Sequence, residues 1–315
     1  MNKVVLANHS YCSHTTDEGD QLQKGLQHAG WTLSGPGFDG LDDVREVLER
    51  YSPEFVFVQD KRDWDKDNDG CFDKRMHWRN VGALRDSGVR RCTVVKDAGS
   101  VRDYQRRFYE EEMGSQAAVV YYHPLSVVPA SGWLEGKPLV RTYHSVDPAQ
   151  VRCLYARKNR KRGIVSGADS SVYPMRKLAV ARKDFLGIDY LKHPGYGNKG
   201  CHTPKYLEML SGYKVAIATA SQYGFALRKI IESVCCGCQV VTDLPEYDEL
   251  PIIDKWLYRI SPNATADQLK KAIDSAEEEW DLANAIERGV DAVEFYDFQK
   301  VGERLDRDIV RTLCN

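Results

Sequence analysis

Two basic residues and one acidic residue stand at the start of a stretch with helical spacing. Arg228 and Lys229 lie about one turn before Glu232, and apolar residues recur through the stretch, which predicts a helix with one buried face. Basic side chains are disfavoured at a helix N-terminus, because that end is the positive pole of the helix dipole. A diphosphate, bound by the backbone N–H groups and by these cations, would stabilise them there.

The residues around this helix start extend the candidate site. A tight turn at Tyr223 and Gly224 leads into the helix, and Glu232 has a carboxylate that can accept hydrogen bonds from two neighbouring sugar hydroxyls. The alternative is that Arg228, Lys229 and Glu232 form solvated pairs along the helix, worth only ~0.2–0.5 kcal/mol each. Both interpretations stay open at the level of the sequence.

The run from Gly224 to Asp243, GFALRKIIESVCCGCQVVTD, resembles the donor-binding segment of GT-B glycosyltransferases, and most closely that of the CgeB-like transferases. In that family a small turn, a basic pair, a Glu and a Gly before a short strand hold a nucleotide diphosphate-sugar. The resemblance implies two Rossmann-like domains with parallel sheets facing across a cleft. It also implies a nucleotide-sugar co-substrate, expected to be a UDP-sugar, with no further cofactor.

The first half of the chain alternates apolar strands with helical patterns, which predicts a parallel sheet with helices on both faces. Ligands bind at the carboxyl ends of the strands in such sheets. Asp60, Asp97 and His144 each follow a predicted strand. We expect Asp60 or Asp97 to act as the general base on an acceptor hydroxyl, and His144 to polarise or orient the transferred sugar. Each residue taken alone is more often a loop-capping group.

The second half supplies further candidates for binding the donor. A predicted strand ends at Ser166 and Gly167, whose small size allows a backbone to approach a ligand closely. Arg176 places positive charge near the next helix start. This arrangement is similar to the first loop of the GT-B donor domain. His193 and Gly195 belong to a glycine-rich loop, HPGYG, which we expect beside the base or the sugar.

Length and composition favour two domains. With 315 residues, of which 42% are hydrophobic and 29% charged, the chain can build two cores. We place an acceptor-side domain in residues 1–155, a donor-binding domain in 156–300, and a last helix in 301–315 that crosses back to the first domain. The boundary rests on the basic run 157–162, RKNRKR, which is either a solvated linker or a contact for a polyanion.

No metal site and no membrane segment is predicted. The chain lacks a run of ~20 apolar residues and a signal-peptide pattern, so we expect a cytoplasmic protein, in a bacterial or phage-infected cell. The nine cysteines follow no regular framework and are read as reduced, mostly buried thiols, with a metal cluster as the alternative. The run 65–70, DKDNDG, resembles the start of a calcium loop, but Met76 stands where a bidentate Glu is needed.

The charge distribution bears on the acceptor. Residues 75–163 contain seventeen Lys and Arg against eight Asp and Glu, in a chain whose formal net charge is −2. A basic sector with tryptophans such as Trp64, Trp78 and Trp133 suggests DNA, in which a hydroxymethylated pyrimidine would be flipped out to expose its hydroxyl. Phage DNA glycosyltransferases share the GT-B architecture. A surface glycan, a teichoic-acid-type acceptor, or a non-catalytic nucleotide-sugar or nucleic-acid binding module are the alternatives.

Overall fold

The computed structural model describes residues 1–7, 17–58, 78–95, 109–110, 113–114, 116–122, 124, 134, 136–192 and 203–314. These residues divide into two compact units. Unit 1 takes its described residues from Met1–Tyr143 and Phe298–Asn315, and unit 2 takes its own from His144–Gly195 and Cys201–Asp297. Each unit is built on one parallel sheet, so the α/β fold class expected from the alternating pattern is confirmed.

The regular elements of the described residues are numbered here in chain order. The strands are β1 (Lys3–Leu6), β2 (Thr32–Ser34), β3 (Phe55–Val58), β4 (Arg90–Val95), β5 (Ala118–Tyr121), β6 (Leu139–Arg141), β7 (Lys161–Gly167), β8 (Asp189–Lys192), β9 (Tyr213–Ile217), β10 (Gln239–Thr242) and β11 (Leu257–Arg259). The helices are α1 (Glu18–His28), α2 (Val44–Tyr51), α3 (Ala83–Asp86), α4 (Pro148–Val151), α5 (Pro174–Ala181), α6 (Lys183–Leu186), α7 (Thr203–Leu210), α8 (Arg228–Cys235), α9 (Ala266–Glu278), α10 (Leu282–Tyr296) and α11 (Phe298–Cys314).

Unit 1 has a six-stranded sheet with the order β2-β1-β3-β4-β5-β6. Strands β3 and β5 are buried along their whole length, as their sequences FVFV and AVVY require of strands covered on both faces. Helix α11 packs against α1, where Gly25 and Gly302 let the two backbones meet. Asp306 on α11 accepts hydrogen bonds from Lys3 and Trp31, which fixes the last helix to unit 1.

Unit 2 has a five-stranded sheet with the order β11-β10-β9-β7-β8. Its strands pair in parallel, and Val165 on β7 lies opposite Ile217 on β9. Helix α8 packs against β10 and against α10. The apolar side of α8, including Ile230 and Val234, is completely buried, which is the amphipathic pattern that its sequence predicts.

The division between the units falls at Tyr143, before the basic run on which the sequence-based boundary rests. Two arginines of that run are partly buried against unit 2, while its other four residues are exposed. Arg160 donates to the carbonyl oxygens of Tyr213, Leu154 and Tyr155, while Arg162 pairs with Asp274 and Glu277. The segment folds into unit 2 because its guanidinium groups find acceptors there.

The cysteines near the end of α8 are structural. Cys235, Cys236 and Cys238 are buried and free of disulfides, and burial raises the pKa of Cys238 to about 11. Within the described part of the chain, no three His, Cys, Asp or Glu side chains are grouped as a metal site requires. None of the described helices is both long enough and apolar enough to span a membrane.

Candidate functional site

Strands β7 and β9 mark the topological switch point of unit 2. The chain leaves β7 to form β8 on one side and then returns to form β9 on the other side, as the order β11-β10-β9-β7-β8 requires. In a parallel sheet of this kind, ligands bind in the crevice outside the carboxyl ends of the strands at that point. Gly167 ends β7, and Thr219 and Ala220 follow β9.

Two cationic side chains, those of Arg176 and Lys229, lie close to Gly167. Its φ of +124° lies where side chains are strained, and a Cβ atom built there would lie 2.9 Å from both Arg176 Nη1 and Lys229 Nζ. Any larger residue would therefore displace one of the two charges. The glycine lets a guanidinium and an ammonium approach the same point on the backbone.

Arg176 is held in place by contacts on two sides. It lies in the first turn of α5, is only 4% exposed, and donates a hydrogen bond to the hydroxyl of Thr219. Its guanidinium also stacks over the ring of Tyr173, with 4.0 Å between the guanidinium carbon and the ring centroid. These contacts fix the side chain before any ligand binds, which lowers the entropic cost of binding.

Lys229 carries the clearest electrostatic signature of the site. Burial lowers the pKa of Lys229 to about 8, and the charge of Arg176 contributes in the same direction, while Glu232 acts against them. The ammonium lies 5.9 Å from the centroid of the Tyr206 ring. The like charge of Arg176 and the loss of water both disfavour the ammonium form, and an anion bound between the two cations would restore it.

Arg228 and Glu232 form a buried pair. Arg228 Nε lies 2.9 Å from Glu232 Oε1, and the two residues are 7% and 4% exposed. The alternative of a solvated pair is therefore wrong for these two residues. Breaking a buried pair of this kind is costly because one charge is left uncompensated. The cations that meet above Gly167 are Arg176 and Lys229, rather than the Arg228 and Lys229 of the sequence motif.

The loop between β9 and α8 is braced by acidic residues that follow β10. Asp243 accepts a hydrogen bond from the N–H of Ala220, and Asp248 accepts one from the N–H of Ala226, each at 2.7 Å. Burial raises the pKa of Asp243, while the Ala220 N–H and Arg176 act in the opposite direction. The loop therefore reaches the helix start in a fixed conformation.

His144, the first residue of unit 2, contacts the same loop. Its Nε2 lies 3.1 Å from the carbonyl oxygen of Ala226, and the residue is 8% exposed. A carbonyl oxygen only accepts, so Nε2 carries the proton, and in the neutral ring the lone pair is on Nδ1. The structure thus brings this predicted residue to the turn that precedes α8.

Two hydroxyl groups lie on the β7 side of the site. The hydroxyl oxygens of Ser166 and Tyr206 are 2.9 Å apart. Burial raises the pKa of Tyr206 well above its ordinary value, and the Glu232 carboxylate contributes in the same direction. Both hydroxyls are therefore protonated at neutral pH and able to donate. The sequence predicted Ser166 as a site residue, and the structure adds Tyr206, which lies on α7.

Comparison with solved structures identifies the architecture. A glycosyltransferase from Rickettsia africae ESF-5 is 12% identical to this chain, with a TM-score of 0.57 over 100% of this chain and 99% of that one. T4 phage BGT, in complex with its UDP-glucose substrate, is 12% identical, with a TM-score of 0.53 over 99% of this chain and 98% of that one. The chain has the GT-B fold. The expectation of two Rossmann-like units is confirmed.

No family model and no curated protein matches the sequence. The similarity of residues 224–243 to the CgeB-like transferases therefore stays a prediction. Most of the predicted donor-binding residues of unit 2 lie around the switch point of its sheet. They are Ser166 and Gly167 at the end of β7, Arg176 on α5, Tyr223 and Gly224 in the loop that joins β9 to α8, and Arg228, Lys229 and Glu232 on α8.

Four predicted site residues lie outside the described residues. They are Asp60, Asp97, His193 and Gly195. The calcium-like run 65–70 and the residues Trp64 and Trp133 lie outside them as well, whereas Trp78 is 7% exposed in the core of unit 1.

Sequence reasoning missed three residues of this candidate site. Thr219 and Asp243 follow the ends of β9 and β10, so the rule that ligands lie at the carboxyl ends of strands could have selected them. Tyr206 lies inside helix α7, where no local pattern distinguishes it from a packing residue. Only the fold brings its hydroxyl to Ser166.

Proposed function

We propose that this chain is a glycosyltransferase that takes a UDP-sugar as its donor and binds it at the carboxyl edge of the unit 2 sheet. The observation that carries the proposal is the meeting of Arg176 and Lys229 above Gly167. Two cations in this position stabilise a bound diphosphate and are themselves stabilised by it. The likeness in fold to T4 phage BGT, whose structure holds UDP-glucose, supports the choice of donor.

The reaction that fits this site is a displacement at the anomeric carbon. The bond between that carbon and the oxygen of the β-phosphate breaks, and its electron pair stays on the diphosphate. The acceptor oxygen forms the new bond and releases its proton to a base. Arg176, Lys229 and the N–H groups at the start of α8 stabilise the charge on the leaving diphosphate. We propose that these groups do so without a metal ion.

His144 is assigned to the sugar in this scheme. Its contact with Ala226 places it beside the turn that precedes α8, next to the proposed diphosphate position. We retain Asp60 and Asp97 as the candidates for the base. A loss of turnover in Asp60→Asn or Asp97→Asn, with UDP binding unchanged, identifies the base, and full turnover in both variants removes these two candidates.

The experiment for the donor is a panel of UDP-sugars, with release of UDP measured in the presence and absence of acceptors. We expect at least one UDP-sugar to be turned over, and Lys229→Met to reduce turnover by about 100-fold or more because a charge at the leaving group is lost. Lys177→Met is the matched control, since Lys177 is an exposed lysine on the same helix as Arg176. Equal turnover in the two variants would contradict the proposal.

For the acceptor, we propose a hydroxymethylated pyrimidine base in DNA. The support is the basic sector of residues 75–163, and the GT-B fold permits this acceptor because phage DNA glycosyltransferases share that architecture. The structure limits how much of that sector is available. Arg79 pairs with Asp42, Lys161 with Asp189, and Arg162 with Asp274. Arg152 and Lys158 are exposed and remain to contact a polyanion.

Binding and transfer to duplex DNA test the acceptor. We expect binding that weakens steeply as salt concentration rises, and transfer of the sugar only to DNA that contains hydroxymethylated pyrimidine. Absence of binding at low salt would remove DNA, and the surface glycan or teichoic-acid-type acceptor becomes the substrate to test. Donor binding without hydrolysis or transfer to any acceptor would instead indicate a non-catalytic binding module.

A further inference from the structure

Tyr247 is an exposed aromatic residue on a rigid loop. The residue is 49% exposed, whereas the next residue, Asp248, is completely buried and holds the N–H of Ala226. The loop after β10 is thus fixed by Asp248 while it presents a large ring to solvent. About half of the residue's surface is open to solvent, so a ligand can reach it.

The hydroxyl of Tyr247 lies directly over Gly224. A Cβ atom on Gly224 would be only 2.4 Å from Tyr247 Oη, and Gly224 has a φ of +75°, which favours glycine. Gly224 belongs to the turn that leads into α8, where the proposed diphosphate binds. The aromatic ring therefore stands at the border of the donor site, on its β10 side.

The two sides of the donor site differ in chemistry. On the β7 side lie the hydroxyls of Ser166 and Tyr206, with the Glu232 carboxylate close enough to raise the pKa of Tyr206. These polar groups suit the hydroxyls of a ribose. On the β10 side lie the ring of Tyr247 and, through Ala226, the imidazole of His144. A donor whose nucleoside occupies the polar side extends its sugar toward Tyr247.

We infer that Tyr247 is a specificity-determining residue that contacts the transferred sugar of the donor through the face of its ring. A pyranose has an apolar face of C–H groups, which packs well on an exposed aromatic ring, and its hydroxyls can bond at the edge. The inference rests on the proposed function. It adds that the sugar end of the donor lies toward β10. It also names nucleotide-linked pyranoses as the donors whose binding the ring strengthens.

Calorimetric titration of the full chain with UDP and with UDP-glucose, UDP-galactose and UDP-N-acetylglucosamine tests this role. We expect wild type to bind one of these sugars more tightly than UDP. In Tyr247→Ala, binding of that UDP-sugar should weaken by about fivefold or more, the factor that corresponds to ~1 kcal/mol, while binding of UDP stays within about twofold. Tyr247→Phe keeps the ring and should retain the preference for the sugar.

The outcomes separate this inference from the proposed function. If wild type binds neither UDP nor any UDP-sugar, the proposed function fails. Two other results are that wild type binds UDP as tightly as every UDP-sugar, or that Tyr247→Ala weakens the binding of UDP and of the UDP-sugar equally. Either result leaves the proposed donor site in place and overturns the role of Tyr247. The UDP titration also reports whether the alanine variant has kept the loop in place.

Discussion

Basic side chains lie next to both ends of helix α8, but their surroundings differ. Beyond the carboxyl end, the guanidinium of Arg160 lies beside Gly237 and is satisfied by main-chain carbonyl oxygens. The carbonyls are those of Leu154, Tyr155, Arg157 and Tyr213. At the amino end, Arg176 and Lys229 face each other above Gly167.

This difference separates a structural cation from a ligand-binding one. A cation at the carboxyl end of a helix is stabilised by the dipole and by carbonyl oxygens, so its role is complete in the protein itself. A cation at the amino end opposes the dipole. Burial and the like charge of Arg176 lower the pKa of Lys229 there. Burial of an arginine is thus weak evidence for a site, whereas two like charges that converge above Gly167 are stronger evidence.

The largest expected effect is on stability, at the pair Arg228 and Glu232. In Glu232→Ala the buried Arg228 loses its carboxylate, and we expect the free energy of unfolding to fall by about 3–5 kcal/mol in urea denaturation. Lys270→Ala is the matched control, because Lys270 pairs with Asp274 at the same spacing and the two side chains are 37% and 47% exposed. The control should change stability by less than about 0.5 kcal/mol. Equal losses of unfolding free energy in the two variants would show that the buried pair contributes no more to stability than an exposed pair.

The second prediction concerns the opposite end of α8. Arg160→Met leaves several carbonyl oxygens without their charged donor, and we expect the free energy of unfolding to fall by about 2–3 kcal/mol. The affinity of the folded protein for UDP should not change, because Arg160 lies at the amino edge of the sheet. Lys158→Met, an exposed neighbour, should alter neither quantity. A large loss of UDP affinity in Arg160→Met would contradict the assignment of a purely structural role to the cation at the carboxyl end of α8.

The third prediction separates strain from displacement of charge. Gly167→Ala places a methyl group against both cations, and we expect UDP affinity measured by calorimetry to fall by about tenfold or more. Gly40→Ala is the control, because Gly40 also has a positive φ, +82°, but its Cβ would meet nothing within 4 Å. The control should lower stability without changing UDP affinity. Unchanged UDP affinity in Gly167→Ala would argue against a diphosphate at this point.

The smallest expected effect is the pH dependence of Lys229. UDP binding should weaken as pH rises through about 8, because the ammonium that pairs with phosphate is lost there. The sign for the free protein is opposite. The folded state binds fewer protons than the unfolded state between the lowered pKa and the ordinary one, so this residue's contribution to stability grows as pH rises through that window. Subtracting the profiles of Lys229→Met from those of wild type isolates both effects.

Sequence reasoning found the central strands and missed two at the edges. Strands such as β3 and β10 are short apolar runs that are buried throughout, and a pattern of that kind is visible without a structure. Strands β2 and β8 were not predicted. Each pairs with one neighbour and stands at the end of its sheet, so sequences such as DYLK need not be apolar throughout. Pairing with β7, rather than composition, makes β8 a strand.

The site was predictable where it depends on strand ends and not where it depends on packing. The motif near residue 228 located the helix start, and Gly167 and Arg176 followed from the strand before them. The sequence could not show which two cations lie together above Gly167. Arg228 pairs with Glu232 on its own helix, whereas Arg176 comes from helix α5. The sequence also left the run 157–162 open between a solvated linker and a polyanion contact, since nothing local reveals that Arg160 and Arg162 find acceptors in unit 2.

The central claim is that the cations above Gly167 bind the diphosphate of the donor, and a crystal structure of the complex with UDP tests it most directly. We expect Lys229 Nζ and the guanidinium of Arg176 to lie within about 3 Å of diphosphate oxygens, at the start of α8. UDP bound elsewhere on the chain, with Lys229 and Arg176 contacting no phosphate oxygen, would contradict the account.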